Sequence, residues 1–266
     1  MAVSQPFAVA CQGGLNKVSS QFELLRNPGE ATELNNFEVS TEGGYRRISG
    51  YTQFGDGTRP NSSNAIKGLQ VYADGLIAAS GTNIYFSQDG DSWLLLNRAS
   101  VSGSGDNYST FGGRSTAART AQEQVSFTNY EGDTDYGELI ITDRGSSVKP
   151  FYFKMTGTGD LDTRTFYAKE ITVSGTIYPK FCVIHDRHLV VGGAATNPNT
   201  IYYSGTDDID DFTSTGSGSI KLDDQVVGLK SFRDDLIIFC KNSIYKLVNI
   251  NSASTIEVQP ITQNIG

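Results

Sequence analysis

The chain has 266 residues, enough for one large β domain or two ordinary domains, and its formal net charge is −8. No Lys/Arg cluster is longer than the pair Arg46-Arg47, so the sequence excludes an ordinary duplex-binding protein, which would carry a basic face. No apolar run reaches the ~18 residues that a transmembrane helix needs. The 29 Gly, 13 Tyr and 14 Phe, against 2 Met, favour many short strands joined by turns.

Residues 1–60 predict an extended arm with a hairpin. Turn signals such as Gly13-Gly14 and Gly43-Gly44 separate brief apolar stretches. An arm of this kind cannot bury its own apolar side chains, so we expect it to donate a strand to a neighbouring subunit. Arg and Tyr are favoured in buried interface cores, and the candidate interface residues are Asn36, Phe37, Tyr45, Arg46 and Arg47. The alternative is that Tyr45-Arg46-Arg47 is a plain hairpin strand within its own domain.

Residues 61–266 repeat one pattern. A short strand ends in an aromatic residue or His, a polar turn with Asp follows, and the next strand opens Leu-Ile or Leu-Val. A second turn then leads to a strand with an Ile-Tyr or Phe-Tyr pair. The Tyr residues of these pairs are 67, 50 and 43 residues apart, and they are Tyr85, Tyr152, Tyr202 and Tyr245. Such spacing is typical of β-propeller blades, which run at about 40–50 residues each.

The predicted fold is therefore all-β, with β-propeller-like four-stranded blades behind an extended N-terminal arm. Sheets of this size bury their apolar faces by stacking on one another. The run Leu236–Phe239 does not alternate, which predicts a strand buried on both faces. Residues from about 100 to 121 are rich in Gly, Ser and Thr and predict a long loop. Four blades or fewer are visible, which suggests an incomplete propeller that more chain or a partner completes.

Few residues have a pattern that indicates chemistry. The run Ser87–Trp93 resembles the Asp-box turn of sialidase-like propellers, which is a structural turn. The acidic run 207–211 offers hard oxygen ligands but lacks EF-hand spacing, so a solvated turn is favoured over a cation site. The weak metal candidates in it are Asp207, Asp208, Asp210 and Asp211. His185 and His188 flank a turn, and we expect their side chains to point apart.

Catalysis is not predicted. The sequence has no nucleophile elbow, no phosphate-binding loop and no zinc-ligand spacing, and we expect neither a cofactor nor a catalytic residue. The cysteines Cys11, Cys182 and Cys240 form no C-x-x-C pair, which fits a reducing compartment. Cys182 and Cys240 lie in apolar runs and are predicted to be buried free thiols.

The arm resembles the opening of a family of phage structural proteins. The residues that carry the likeness are Gly13-Gly14-Leu15-Asn16, Leu24–Ala31, Leu34–Glu38 and Gly43–Tyr51. They are similar to the head-to-tail stabilisation or tail nozzle proteins of short-tailed phages, over about residues 13–55. Members of that family are longer than this chain, and some contain β-propellers.

The resemblance implies a virion protein of the tail, made in the host cytoplasm. Such proteins form rings, commonly hexameric, below the portal and adaptor and around the DNA channel. An acidic chain suits a lumen through which DNA slides without sequence-specific binding. The alternatives are a carbohydrate-binding or sialidase-like propeller and a propeller scaffold from a cellular protein. Exposed Tyr or Trp beside carboxylates on one propeller face would favour sugar binding.

Overall fold

The computed structural model describes residues 13–24, 26, 29–39, 44–48, 50, 52–60, 64–81, 83–95, 123–132, 136–144, 149–157, 165–174, 177–252 and 254–263. The chain forms two compact units, Met1–Gln53 and Phe54–Gly266. The predicted loop at about 100–121 lies outside the described residues, as does Cys11. Across the described ranges, no helix is long and apolar enough to cross a membrane.

The described residues of the N-terminal unit form two small sheets and one helical turn. Its elements are β1 (Gly14–Leu15), α1 (Gln21–Leu24), β2 (Glu30–Ala31), β3 (Phe37–Val39) and β4 (Tyr45–Arg47). Strands β1 and β2 pair in parallel, and β3 and β4 form an antiparallel hairpin. Helix α1 begins after Ser20, whose backbone N–H donates to the Glu23 carboxylate at 2.9 Å, as in a capping box.

The described residues of the second unit form four four-stranded antiparallel sheets, each built from strands that are consecutive in sequence. The first sheet is β5 (Ile66–Tyr72), β6 (Gly75–Ser80), β7 (Asn83–Ser87) and β8 (Leu94–Leu95). The second is β9 (Val125–Tyr130), β10 (Glu138–Asp143), β11 (Phe151–Thr156) and β12 (Thr165–Glu170). The third is β13 (Phe181–His185), β14 (His188–Gly192), β15 (Thr200–Tyr203) and β16 (Gly218–Lys221). The fourth is β17 (Val226–Phe232), β18 (Asp235–Cys240), β19 (Ser243–Val248) and β20 (Glu257–Gln263). The all-β prediction is confirmed.

Tight turns join the first two strands of the first, third and fourth sheets. Asp186 and Arg187 both have positive φ, at 49° and 66°, which is the backbone of a two-residue type I′ hairpin. The corresponding turns open on Ala73 and Arg233, with φ of 53° and 55°. These turns confirm the prediction of a short polar turn after the first strand.

The sheets pack face to face in sequence order. One apolar core lies between the first and second sheets, another between the second and third, and another between the third and fourth. The first strands of neighbouring sheets, β5, β9, β13 and β17, contact one another in that order. Stacking of this kind buries faces that a single antiparallel sheet would leave in water.

The second sheet departs from the predicted alignment by one residue. Tyr202 and Tyr245 pair with Val191 and Ile238, on the face that packs against the preceding sheet. Tyr152 instead packs in the core shared with the following sheet. A shift of one residue along a strand moves a side chain to the opposite face, so the Phe-Tyr pair is not equivalent to the Ile-Tyr pairs.

The run Leu236–Phe239 also differs from the prediction. Leu236 and Ile238 are fully buried, but Ile237 is half-buried and the Phe239 side chain is 40% exposed. This strand lies in the last sheet, and the face that carries Phe239 is turned away from the third sheet. The lack of alternation correctly indicated apolar residues on both faces of this strand. It did not show that a second sheet covers both faces.

Candidate functional site

The predicted interface residues belong to the β3–β4 hairpin, and the structure uses them in different ways. The Tyr45 hydroxyl donates to the carbonyls of Gly14 and Gly29, at 3.0 and 2.7 Å, and so ties the hairpin to β1 and β2. Arg46 forms an exposed ion pair with Glu38 at 2.6 Å, and Arg47 is exposed. Asn36, with φ of 61°, accepts a bond from the Ile48 N–H at the hairpin base.

Apolar side chains of this unit remain in contact with solvent. No hydrophobic side chain described between residues 13 and 50 is buried. Phe37 borders a cavity of about 490 Å³ together with Leu34 and Tyr45. The other exposed hydrophobic residues described in this unit are Leu15, Val18, Phe22 and Ile48. The hairpin therefore has internal polar ties but no apolar core of its own among the described residues.

A polar groove of about 540 Å³ crosses the first strands of the second, third and fourth sheets. Tyr130 donates to the Asp207 carboxylate at 3.4 Å, and Arg187 donates to the other oxygen of the same carboxylate at 2.7 Å. Partial burial and the nearby Asp207 charge raise the pKa of Tyr130. Glu131 and Lys230 also border the groove. The groove thus combines an aromatic ring with charged groups of both signs.

The acidic turn at 207–211 does not direct its carboxylates to a common point. Asp210 pairs with Lys169, and Asp211 accepts backbone bonds from Thr213 and Ser214 at 2.7 and 3.0 Å. Burial and the neighbouring Asp210 raise the pKa of Asp208, whereas the backbone bonds lower the pKa of Asp211. Within the described ranges, no three His, Cys, Asp or Glu side chains are placed to share a metal ion. Each carboxylate thus has its own protein partner.

The two histidines lie directly opposite each other on β13 and β14, which corrects the prediction that their side chains point apart. A two-residue turn places its flanking residues in one cross-strand pair, on the same face of the sheet. His185 Nδ1 lies 2.9 Å from Ser231 Oγ, and His188 Nδ1 donates to the Ser204 carbonyl at 2.6 Å. His188 Nε2 lies 2.9 Å from Asn251 Oδ1. Both rings thus serve as structural hydrogen-bonding groups.

The Asp-box-like run forms a tight turn between β7 and β8. The Gly90 N–H donates to Ser87 Oγ at 2.8 Å, and Gly90 has φ of 84°. Asp89 accepts backbone bonds from Asp91 and Ser92, and these bonds lower its pKa. Trp93 donates from its indole to the Thr58 carbonyl at 3.0 Å. The side chains of Ser87 and Asp89 thus hold the turn by accepting its backbone N–H groups.

Sequence reasoning missed one charged cluster at the junction of the second and third sheets. Glu138 on β10 pairs with Lys154 at 3.8 Å, and burial raises the pKa of the Glu138 carboxyl group. Lys169 on β12 reaches across to Asp210 of the third sheet. The four residues come from three strands and a turn far apart in sequence. No local spacing could have indicated their proximity.

No known protein family matches the chain by sequence, and neither does any curated protein. The solved structures that resemble it in fold include a crystal structure of BBS1N in complex with ARL6DN. The TM-score with that structure is 0.40 at 14% identity, over 70% of this chain and 54% of the other. The chain thus spans about half the length of that structure.

Proposed function

We propose that this chain is a structural protein of the tail of a short-tailed phage, a nozzle or head-to-tail connector that assembles as a ring around the DNA channel. The observation that carries the proposal is the N-terminal unit, which resembles that family over about residues 13–55 and whose described hydrophobic side chains are not buried within the chain. Its partners are other copies, about six in the ring, together with the portal, the adaptor and other tail proteins.

The exposed apolar residues of the arm support a role in assembly. Val18 is 96% exposed and Phe22 is 82% exposed. Burying one such side chain at an interface contributes about 1.5–3 kcal/mol, which favours contact with a neighbouring subunit. Phe37, beside the cavity at the hairpin, is an anchor of the size that interface cores prefer. Tyr45, in contrast, holds the hairpin in shape for that contact.

The four stacked sheets support a β-propeller, complete or incomplete, as the body of the subunit. Propellers bury sheet faces by radial repetition and leave short edges. The net charge of −8 supports a conduit through which DNA passes without being held, because like charges disfavour contact with phosphates. The proposed location is the virion tail, and no catalytic step is part of this function.

The arm gives a direct test of this function. We expect the full chain to form closed rings of about six copies in negative-stain images, and a Phe22→Asp/Phe37→Asp variant to lose them while its circular dichroism is unchanged. Lys17→Asp, an equal change in charge on the same arm, is the matched control and should keep the rings. Rings that persist in the double variant would contradict the role of the arm.

Carbohydrate binding is the second candidate function, and the groove beside Tyr130 favours it. Sugar sites combine an aromatic surface with hydrogen-bonding charged groups, as Tyr130, Arg187, Asp207 and Lys230 do here. A glycan array distinguishes the candidates. Binding that Tyr130→Ala abolishes would establish the sugar function, and an array without signal would remove it.

A further inference from the structure

The first and fourth sheets share one register, so their residues can be compared position by position. Both first strands carry a β-bulge at the same place, between Ile66 and Gly68 in β5 and between Val226 and Gly228 in β17. Gly68 pairs with Ala79, and Gly228 pairs with Phe239. The equivalent strands read Ile-Lys-Gly-Leu-Gln-Val-Tyr and Val-Val-Gly-Leu-Lys-Ser-Phe.

In the first sheet, close packing against the next sheet explains why residue 68 is a glycine. A Cβ atom at Gly68 would lie 2.6 Å from the ring of Phe127 and 3.2 Å from the Val125 side chain, both on β9 of the next sheet. Gly228 has no such neighbour, since a Cβ there would meet Phe239 of its own sheet at 3.6 Å. Its φ is not among the positive values of the described residues. Gly228 thus keeps the glycine of the bulge, but the side that Phe127 and Val125 cover at Gly68 is open at Gly228 among the described residues.

The end of the first strand shows the same contrast. Tyr72 is buried and donates to the Gly137 carbonyl of the second sheet at 2.8 Å. Tyr130 reaches Asp207 in the third sheet, and His185 reaches Ser231 in the fourth. Phe232 occupies the equivalent position in the fourth sheet and is 59% exposed. Tyr72, Tyr130 and His185 therefore contact a following sheet, whereas no described sheet follows at the equivalent position of Phe232.

The first sheet carries the matching surface on its opposite face. Ile66 and Leu69 of β5 correspond in register to Val125 and Phe127 of β9, the two residues that cover Gly68. Both are about half exposed, and so is Val71 on the same face. Among the described sheets of the second unit, β5 belongs to the first, so no other sheet of this unit covers the face that carries these side chains. The open face of the first sheet therefore matches the open face of the fourth sheet. The match is the same as the one between the second sheet and the first, which are packed together within the chain.

We infer that the fourth sheet packs against the first sheet of a second copy of this chain, with Ile66 and Leu69 of that copy over Gly228 and Phe239. The contact is head to tail, because the two surfaces differ, and it continues the sheet-to-sheet packing of the subunit from one copy to the next. This contact does not depend on the proposed phage role or on the arm. The contact can therefore be absent while the proposed function holds, and the reverse is also true.

Two variants, each blocking one face, test the contact by sedimentation velocity in the full chain that also carries Phe22→Asp and Phe37→Asp, so that the arm does not join the copies. Gly228→Leu fills the receiving face, and Leu69→Asp places a charge on the entering face. Each alone should weaken self-association at least about tenfold, as loss of a central apolar contact does. The two variants mixed in equal amounts should form a pair, because each still carries one intact face.

Ser219 provides the matched controls, since it is exposed on β16, away from both faces. In the same Phe22→Asp/Phe37→Asp chain, Ser219→Leu and Ser219→Asp should leave association unchanged, and circular dichroism should show all variants folded. The inference is overturned if the Phe22→Asp/Phe37→Asp chain is monomeric at every concentration. It is also overturned if either blocking variant associates normally, or if the mixture gives no pair.

Discussion

Gly68 and Gly228 occupy one register position in surroundings that differ. A methyl group at Gly68 would overlap the Phe127 ring, whereas Gly228 has room for it. We expect Gly68→Ala to lower the free energy of unfolding by about 1–3 kcal/mol, the usual cost of overpacking. Gly228→Ala should change it by less than about 0.5 kcal/mol. Urea denaturation measures both values, and equal losses would contradict the assigned packing.

Cys182 and Cys240 are buried free thiols, as the apolar runs predicted. Burial raises the pKa of Cys182 to about 12 and that of Cys240 to about 11. At about pH 8 the thiolate is therefore scarce, and the thiolate is the form that reacts. We expect iodoacetamide to leave both unmodified in the native protein and to label both in urea. Mass spectrometry of the peptides decides, and labelling of native Cys182 would show that its burial is wrong.

His185 makes the stability of the chain depend on pH. Burial lowers its pKa below the usual 6.5, although the nearby Asp186 and Asp235 charges oppose that shift. The unfolded state then takes up the proton first, so the stabilising effect is complete above about pH 6.5 and is lost as the pH falls toward the lowered value. Unfolding free energies at about pH 7.5 and 5.5 should differ less in His185→Gln than in the wild type. An equal difference would remove His185 as the cause.

At the scale of the element, the turn at Ser87 is held by a buried hydroxyl. Ser87 Oγ accepts the Gly90 N–H at 2.8 Å and is shielded from water. Ser87→Ala should cost about 1 kcal/mol, since it leaves a buried donor without its partner. Ser92→Ala, an exposed change in the same turn, is the control. Thermal melting compares the two, and equal melting temperatures would mean that the hydroxyl is dispensable.

The repeats could be predicted because the turn chemistry and the apolar runs are local. The Leu-Ile and Leu-Val openings locate β6, β14 and β18 correctly, and each follows the predicted polar turn. The face of Tyr152 could not be predicted. Tyr152 pairs with Ile140, the second residue of the Leu-Ile opening, whereas Tyr85, Tyr202 and Tyr245 pair with the third residue of theirs. Register depends on the pairing of two strands, which a single run does not reveal.

The arm shows the same limit at its hairpin. The sequence located the strand at Tyr45 but did not reveal that the Tyr45 hydroxyl binds the carbonyls of Gly14 and Gly29. Those carbonyls lie on segments 31 and 16 residues away. Composition can indicate that an aromatic residue is an anchor, but it does not indicate what the aromatic residue anchors.

For the whole molecule, two surfaces expose large apolar side chains. One is the exposed apolar set of the arm, with Val18, Phe22 and Phe37, and the other is the Phe232 and Phe239 face of the fourth sheet. A monomer in solution rarely leaves large apolar patches uncovered. Together with the acidic charge, they favour a protein whose work is assembly.

The mass of the full chain in solution tests this account most directly. Light scattering on the purified protein should give one closed species of about six copies, stable on dilution and in high salt because its contacts are apolar. A strict monomer at high concentration, with both apolar surfaces left in water, would contradict the account.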